Sequence, residues 1–314
     1  MKKTLALILT AVLAISMLAG CGGAKLTLAT GGTTGTYYSY GSAIATVLSD
    51  ATDLKITVTS TGASKANIQL IQDGDADIAV VQNDVAFYAN TGTDLFAGEE
   101  AYADLRTIGA LYSEVVHIVA APGIESIEDL AGKTVSVGDA GSGTEFNATQ
   151  VLAAYGISFD DIEVVNLGFG DSADALKNGQ IDAFFGVSGS PATYITDLAA
   201  TNDFNLLAID EAHYDVLAEQ YDFYVVETIP AGTYSNIAED VQTVAVKAVL
   251  VCDASVDAET VYAFLSGMFD NQADLAAAHA KGELLTAETI LDGVSTPLHE
   301  GAIQYFTEIG LDVE

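Results

Sequence analysis

Basic residues are scarce in this chain: 10 Lys and Arg stand against 44 Asp and Glu, and Arg106 is the sole arginine. Nucleic acid and bare anionic lipid are held through clustered Lys and Arg, so this balance excludes both as partners. Charged residues of either sign are only 17% of the chain while hydrophobic ones are 50%, which excludes an acidic disordered protein. The four histidines, His117, His213, His279 and His299, are scattered rather than clustered. The N-terminal apolar stretch, residues 5–17, is too short to span a bilayer as a helix.

That stretch follows Lys2 and Lys3 and ends in Leu18-Ala19-Gly20-Cys21, so residues 1–20 read as a secretory leader. A small-residue site closing on Cys resembles the bacterial lipobox, with Cys21 acylated and becoming the mature N-terminus. The expected location is extracytoplasmic, lipid-anchored to the bacterial cell membrane at the surface or in the periplasm. Removing the leader takes away Lys2 and Lys3 and no acid, leaving 8 basic and 44 acidic residues, a formal charge of −36. With Cys21 used, Cys252 is the single remaining thiol and no intrachain disulfide forms. Its place after Val249-Leu250-Val251 makes it a core residue rather than a nucleophile.

An internal echo organises the mature chain. Leu26-Thr27-Leu28-Ala29 reads as a buried strand, followed by Thr30-Gly31-Gly32-Thr33-Thr34-Gly35 and a helix from 36 to about 48. A strand at 56–59, a turn at 60–64, a helix carrying Ile68, Leu70 and Ile71, and a strand at 78–81 ending in Gln82-Asn83-Asp84 complete the unit. About a hundred residues later the order recurs. A strand at 134–137 leads into the Gly/Ser loop 138–144, a helix from 145 and a strand at 164–167, then a helix at 173–177 and a strand at 183–186 ending in Ser188-Gly189-Ser190. Strand, polar turn, helix, three times in each half, predicts two α/β lobes of parallel sheet covered by helices. No low-complexity linker separates them, so the expected crossings are strands, Val115-Val116-His117-Ile118-Val119-Ala120 and Phe223-Tyr224-Val225-Val226. This assigns 21–115 and 227–314 to lobe 1 and 116–226 to lobe 2.

In an open parallel sheet the ligand sits beyond the carboxyl ends of the strands, where every polar loop just named falls. Loops rich in Gly, Ser and Thr at helix N-termini present free N–H groups and the positive end of the helix dipole, an anion site that needs no arginine. Simple N-capping by Thr33, Thr34 and Ser142 is the alternative use of the same hydroxyls. Enzyme signatures are weaker. Residues 138–143 miss the dinucleotide spacing, and 31–35 lack the lysine of a phosphate-binding P-loop. Gly186-Val187-Ser188-Gly189-Ser190 carries Ser where a nucleophile elbow ends in Gly, and no histidine is near it in sequence. Asp73, Asp75 and Asp77 imitate the start of a calcium loop, but Ile78 stands where its Gly belongs. Neither a metal nor a cofactor is expected.

Residues 30–38, the run Thr61-Gly62-Ala63-Ser64 with Asn67, and residues 137–144 resemble successive blocks of the TAXI family, the solute receptors of TRAP transporters. Ile229-Pro230-Ala231-Gly232-Thr233-Tyr234 and Pro297-Leu298-His299-Glu300-Gly301-Ala302 resemble its later blocks, so the likeness spans the mature chain. Ala63, where the family usually has Gly, and Ala66, where Glu commonly precedes the Asn, depart from the pattern. The resemblance implies a type II periplasmic-binding-protein fold, two doubly wound lobes joined by a strand hinge with the ligand cleft between them. It implies a small carboxylate or amino acid of the glutamate, glutamine, 2-oxo or dicarboxylate type, delivered to a TRAP-type, sodium-driven permease, and no catalysis. A two-lobed sensory protein without a transport partner and an enzyme on the same scaffold are the other readings. The expected cleft residues are Gly32, Thr33, Thr34, Gly35 and Tyr37, then Thr61, Gly62 and Ala63, then Gln82, Asn83 and Asp84. Ser142, Gly143, Thr144, Phe169 and Ser188 are expected to face them from lobe 2. Tyr37 has core packing as a competing role. An ionised Asp84 facing the cleft would imply a solute with an ammonium group, and an Asp84 turned away an oxo acid or dicarboxylate.

Overall fold

The computed structural model describes residues 24–313; Cys21 and the leader lie outside them. Strands β1 (Lys25–Ala29), β2 (Lys55–Thr59) and β3 (Ile78–Gln82) alternate with helices α1 (Thr36–Ala51), α2 (Ser64–Asp73) and α3 (Asn83–Thr91). The second set is β5 (Thr134–Ser136), β6 (Glu163–Val165) and β7 (Ala183–Ser188), with α4 (Gly143–Ala154), α5 (Phe169–Lys177) and α6 (Thr193–Ala199). Within each set the pairing is parallel: β1 lies between β2 and β3, and β5 between β6 and β7.

The echo in sequence is an echo in hydrogen bonding. Asp77 precedes β3, where its carboxylate accepts from Thr27 N at 2.7 Å and its own N–H donates to Thr27 O. Asp182 precedes β7 and makes the same reciprocal pair with Thr134, at 2.9 Å from the carboxylate. Thus Asp77 serves as a strand-register clamp, a role that accounts for the imitation of a calcium loop.

Two long strands join the halves. β4 (Leu105–Ala120) pairs with β10 (Val241–Asp253) as far as Val115, then with β7 from Val115 to Ala120. β10 pairs with β3 over residues 248–252 and with the edge strand β9 (Val225–Ile229) over 241–245. All of these pairings are antiparallel, and β10 carries register shifts on either side of Val249-Leu250. The resulting order is β2-β1-β3-β10-β4-β7-β5-β6. Each half-sheet is covered on both faces, which produces four apolar clusters rather than one. Helices α8 (Ala258–Asp270) and α10 (Glu300–Glu308) return to pack Phe264, Leu265 and Phe306 on Leu28, Ile44 and Leu48 of the first half.

The expected crossing at Val115–Ala120 lies in the second part of β4, where its pairing passes from β10 to β7. The expected crossing at 223–226 is not one: Tyr224 is buried with Val244 and Val246 in the second half, and residues 225–229 form the hairpin partner of early β10. Ile229 and Tyr234, expected with lobe 1, pack against Leu198 and Phe204 of lobe 2. The return crossing therefore lies inside β10, near Ala245–Ala248. Cys252, fully buried in β10, is a core residue.

Candidate functional site

The carboxyl ends of β1, β2, β3, β5 and β7 converge on an enclosed cavity between the halves, with a volume of about 40 Å³. That is room for roughly two or three waters. Five helices begin at this cavity. Gly35, Thr36 and Tyr37 start α1, Ala63 and Ser64 start α2, Gln82 caps α3, Ser142, Gly143 and Thr144 start α4, and Phe169 starts α5. The N-cap residues of α1, α2, α3 and α5 offer no side-chain acceptor to the first turn, although Asp84 accepts from Val85 N in α3 and Thr34 from Gly170 N in α5. By contrast Asp210 and Asp257 cap α7 (Glu211–Gln220) and α8 at the surface. The first-turn N–H groups left without such an acceptor remain as backbone donors for whatever occupies the cavity.

Ten of the expected residues line it: Gly32, Gly35, Tyr37, Ala63, Gln82, Ser142, Gly143, Thr144, Phe169 and Ser188. Tyr37 is buried in the first core and also borders the cavity, with its hydroxyl 2.6 Å from Glu114 Oε1. Ser142 is a true cap, its hydroxyl accepting from Glu145 N at 3.1 Å. Ser188 lies 3.0 Å from the Tyr194 hydroxyl, and among the described residues no histidine or carboxylate is bonded to it, so the nucleophile arrangement is not assembled. Gly138 and Gly141 take φ of 96° and 74°, which is what turns the 138–144 loop back onto α4. Ala63 takes φ 68° without the freedom of glycine.

The other six sit elsewhere, each for a local reason. Thr33 and Thr34 lie at the outer rim, where Thr34 Oγ1 accepts from Gly170 N across the lobes at 3.2 Å. Thr61 holds its own turn, accepting from Ala63 N, and Gly62 follows it away from the cavity. Because α3 begins at Asn83, consecutive residues fan out around the helix axis. Asn83 turns to the back of the sheet, binding Gly293 O and Lys247 N. Asp84 turns into the seam between lobes, 1% exposed, accepting from Val85 N at 2.8 Å and Asn147 Nδ2 at 3.0 Å. Burial pushes its carboxyl up to about 6, against the pull of those hydrogen bonds.

Sequence reasoning missed Gly31, Thr36, Ser64, Glu114, Asp139 and Val187, which also line the cavity. It missed the closing contacts as well. Asn147 accepts from Gln82 Nε2 at 2.9 Å and donates to Asp84, while the Tyr88 hydroxyl accepts from Gln150. Thr36 Oγ1 accepts from Gly189 N, and Lys281 Nζ donates to Ser190 O at 2.8 Å. Phe87 and Tyr88 meet Phe146 and Phe223 of the other lobe, with ring centroids 5.3–5.7 Å apart for the contacting pairs. Arg106 is tied to Ala103 O and Leu105 O and does not reach the cavity.

Solved structures share this architecture. The alkanesulfonate-binding protein SsuA of Xanthomonas axonopodis pv. citri, bound to MOPS, aligns with a TM-score of 0.53 at 16% identity, over 92% of this chain and 85% of its own. A protein of Bordetella bronchiseptica RB50 aligns with a TM-score of 0.53 at 19% identity, over 91% and 83%. A structure described as a periplasmic transporter aligns with a TM-score of 0.55 at 13% identity, over 93% of both chains. At these identities the likeness is one of fold, the periplasmic-binding-protein fold. A sequence model of the NMT1-like family matches residues 28–310. The match runs from β1 to the end of α10, and the chain belongs to the NMT1-like family.

Proposed function

We propose that the protein is an extracytoplasmic solute receptor of the TAXI type, tethered through Cys21, that closes on a small carboxylate and passes it to a TRAP-type permease. The observation that carries this reading is the convergence of five helix N-termini on one cavity between the two lobes, four of them with no acceptor from the N-cap side chain and the fifth capped by Ser142. Such termini favour an anion by ~0.3–1 kcal/mol each, more when partly buried. The Xanthomonas neighbour described as bound to MOPS, a sulfonate, supports anion binding in this fold. The division that goes with it places 24–115 and 246–313 in lobe 1 and 116–245 in lobe 2.

An ABC-type permease is the second reading. It is favoured by a neighbour described as the ligand-binding component of an ABC-type import system from Staphylococcus aureus, with a TM-score of 0.51 at 9% identity. Native mass spectrometry of the purified protein, followed by calorimetric titration with mono- and dicarboxylates and amino acids, tests the receptor. One bound carboxylate per chain is expected. Binding of none of them overturns the reading. Uptake in vesicles carrying the cognate permease should follow a sodium gradient, and dependence on ATP instead assigns the ABC partner. Release of a Cys21→Ser protein from the membrane checks the anchor, and its retention after processing overturns it.

A further inference from the structure

The cavity carries acceptors and acids but no cation: neither Lys nor Arg lines it. Glu114, 2% exposed on β4 just before the crossing, contributes a carboxyl whose Oε1 accepts a hydrogen bond from the Tyr37 hydroxyl at 2.6 Å. Gln82, also 2% exposed, spends its Nε2 on Asn147 and leaves Oε1 buried without a donor. That oxygen lies against Gly143, where an added Cβ would overlap it. Buried acceptors without donors are costly, and a buried carboxylate needs a counter-charge.

We infer that Glu114 and Gln82 form a specificity pole that selects solutes bearing a primary ammonium group, while the helix N-termini take the carboxylate. The inference rests on the receptor reading and deepens it. It also replaces Asp84, turned into the seam, as the residue that reports on the solute. Amino acids are then favoured, and 2-oxo acids and dicarboxylates of the same skeleton bind more weakly because they bring no N–H for the Gln82 oxygen and no cation for Glu114. The charged and titratable groups facing Glu114 are Tyr37 from α1, Tyr112 from its own strand, Asp84 from α3, Asp139 from the loop before α4 and Tyr194 from α6. None is a cation. Burial foremost, with the Asp84 charge, holds Glu114 up at about 8 against the hydrogen bond of Tyr37. Glu114 therefore carries a proton in the empty protein at neutral pH. An arriving ammonium breaks that O–H bond, the proton passes to buffer, and an N–H···O contact replaces it.

The test is titration of the full mature protein and its Glu114→Gln variant at pH 7, in two buffers of different ionisation enthalpy. The probes are L-glutamate, L-glutamine and L-alanine, with 2-oxoglutarate, pyruvate, succinate and 1,4-diaminobutane. At least one amino acid should bind tenfold or more tighter than its 2-oxo counterpart, releasing about one proton. Glu114→Gln should weaken that binding at least tenfold and abolish proton release, with the oxo acid unaffected. Should that variant not fold, Gln82→Met removes the second acceptor at similar volume and should narrow the discrimination. Equal binding of amino and oxo acid, or a neutral Glu114→Gln, overturns the ammonium pole and leaves the carboxylate receptor standing. Tight binding of diaminobutane alone overturns the carboxylate reading and leaves the pole standing. Failure of every probe overturns both.

Discussion

Ala63 holds φ 68° and ψ −145° at the entrance to α2, a conformation its Cβ opposes. Ala63→Gly relieves strain of order ~1–3 kcal/mol and adds ~0.4–1 kcal/mol of unfolded-chain entropy. A net gain of about 1 kcal/mol is expected in urea unfolding, and a loss would mean that the methyl packs better than the backbone suffers. Two buried titrating groups on β4 set the pH dependence with opposite signs. Burial lowers His117 to about 4, so stability is lost as pH falls from 6.5 through 4, where the unfolded chain gains a proton the fold refuses. Burial raises Glu114 from 4.5 to about 8, so stability is lost as pH rises across that window. Between 4.5 and 6.5 the two oppose each other. Above 6.5 Glu114 alone acts, so the melting temperature should fall from pH 6.5 to 8 in the wild type and stay flatter in Glu114→Gln.

At the scale of the element, α4 is the latch. Its Asn147 accepts from Gln82, donates to Asp84 of lobe 1, and donates from the same Nδ2 to the Tyr224 hydroxyl at 2.8 Å. Hydrogen bonds to a charged group are worth ~1.5–3 kcal/mol. Asn147→Ala should therefore move the unliganded protein toward the open form by roughly tenfold or more, read as a larger radius of gyration in small-angle scattering. An unchanged radius would assign closure to the aromatic seam of Tyr88, Phe146 and Phe223. The helices and parallel strands were legible because period and turn chemistry are local. So were the loops, whose Gly, Ser and Thr declare their task. Glu114 was not, because one acid in the apolar run of β4 reads as a strand residue until the fold gives it a neighbour in Tyr37. The return crossing escaped for a related reason. A two-sided buried strand such as Val244 to Val251 is apolar but for Lys247, and nothing local says that it changes partners midway. The fan of Gln82, Asn83 and Asp84 into cavity, back and seam depends on where α3 starts, to the residue.

For the whole molecule, a formal charge of −34 surrounds the proposed cleft, whose attraction for anions would come from backbone donors and be short-ranged. Salt shortens the screening length from ~30 Å at 0.01 M to ~8 Å at 0.15 M. The association rate of a net-anionic solute should therefore rise, or hold, with ionic strength in stopped-flow measurements. A steep fall would place a basic entrance where none has been described.

The strand that joins the lobes also dictates an order of events at the birth of the molecule. β3 must keep an unpaired edge until residues 248–252 emerge, since β10 is what separates it from β4. The intervening stretch, 116–245, has its own clusters to collapse upon while the first three strands wait. An open, wholly buried-type strand such as β3 is a template for aggregation, and the long-range pairing that covers it is slow to form. In refolding followed by pulsed hydrogen exchange, amides of β3 and β10 should become protected together and late, after those of β5 and β7. A chain passed through a membrane N-terminus first is then most vulnerable in the interval before its last quarter arrives.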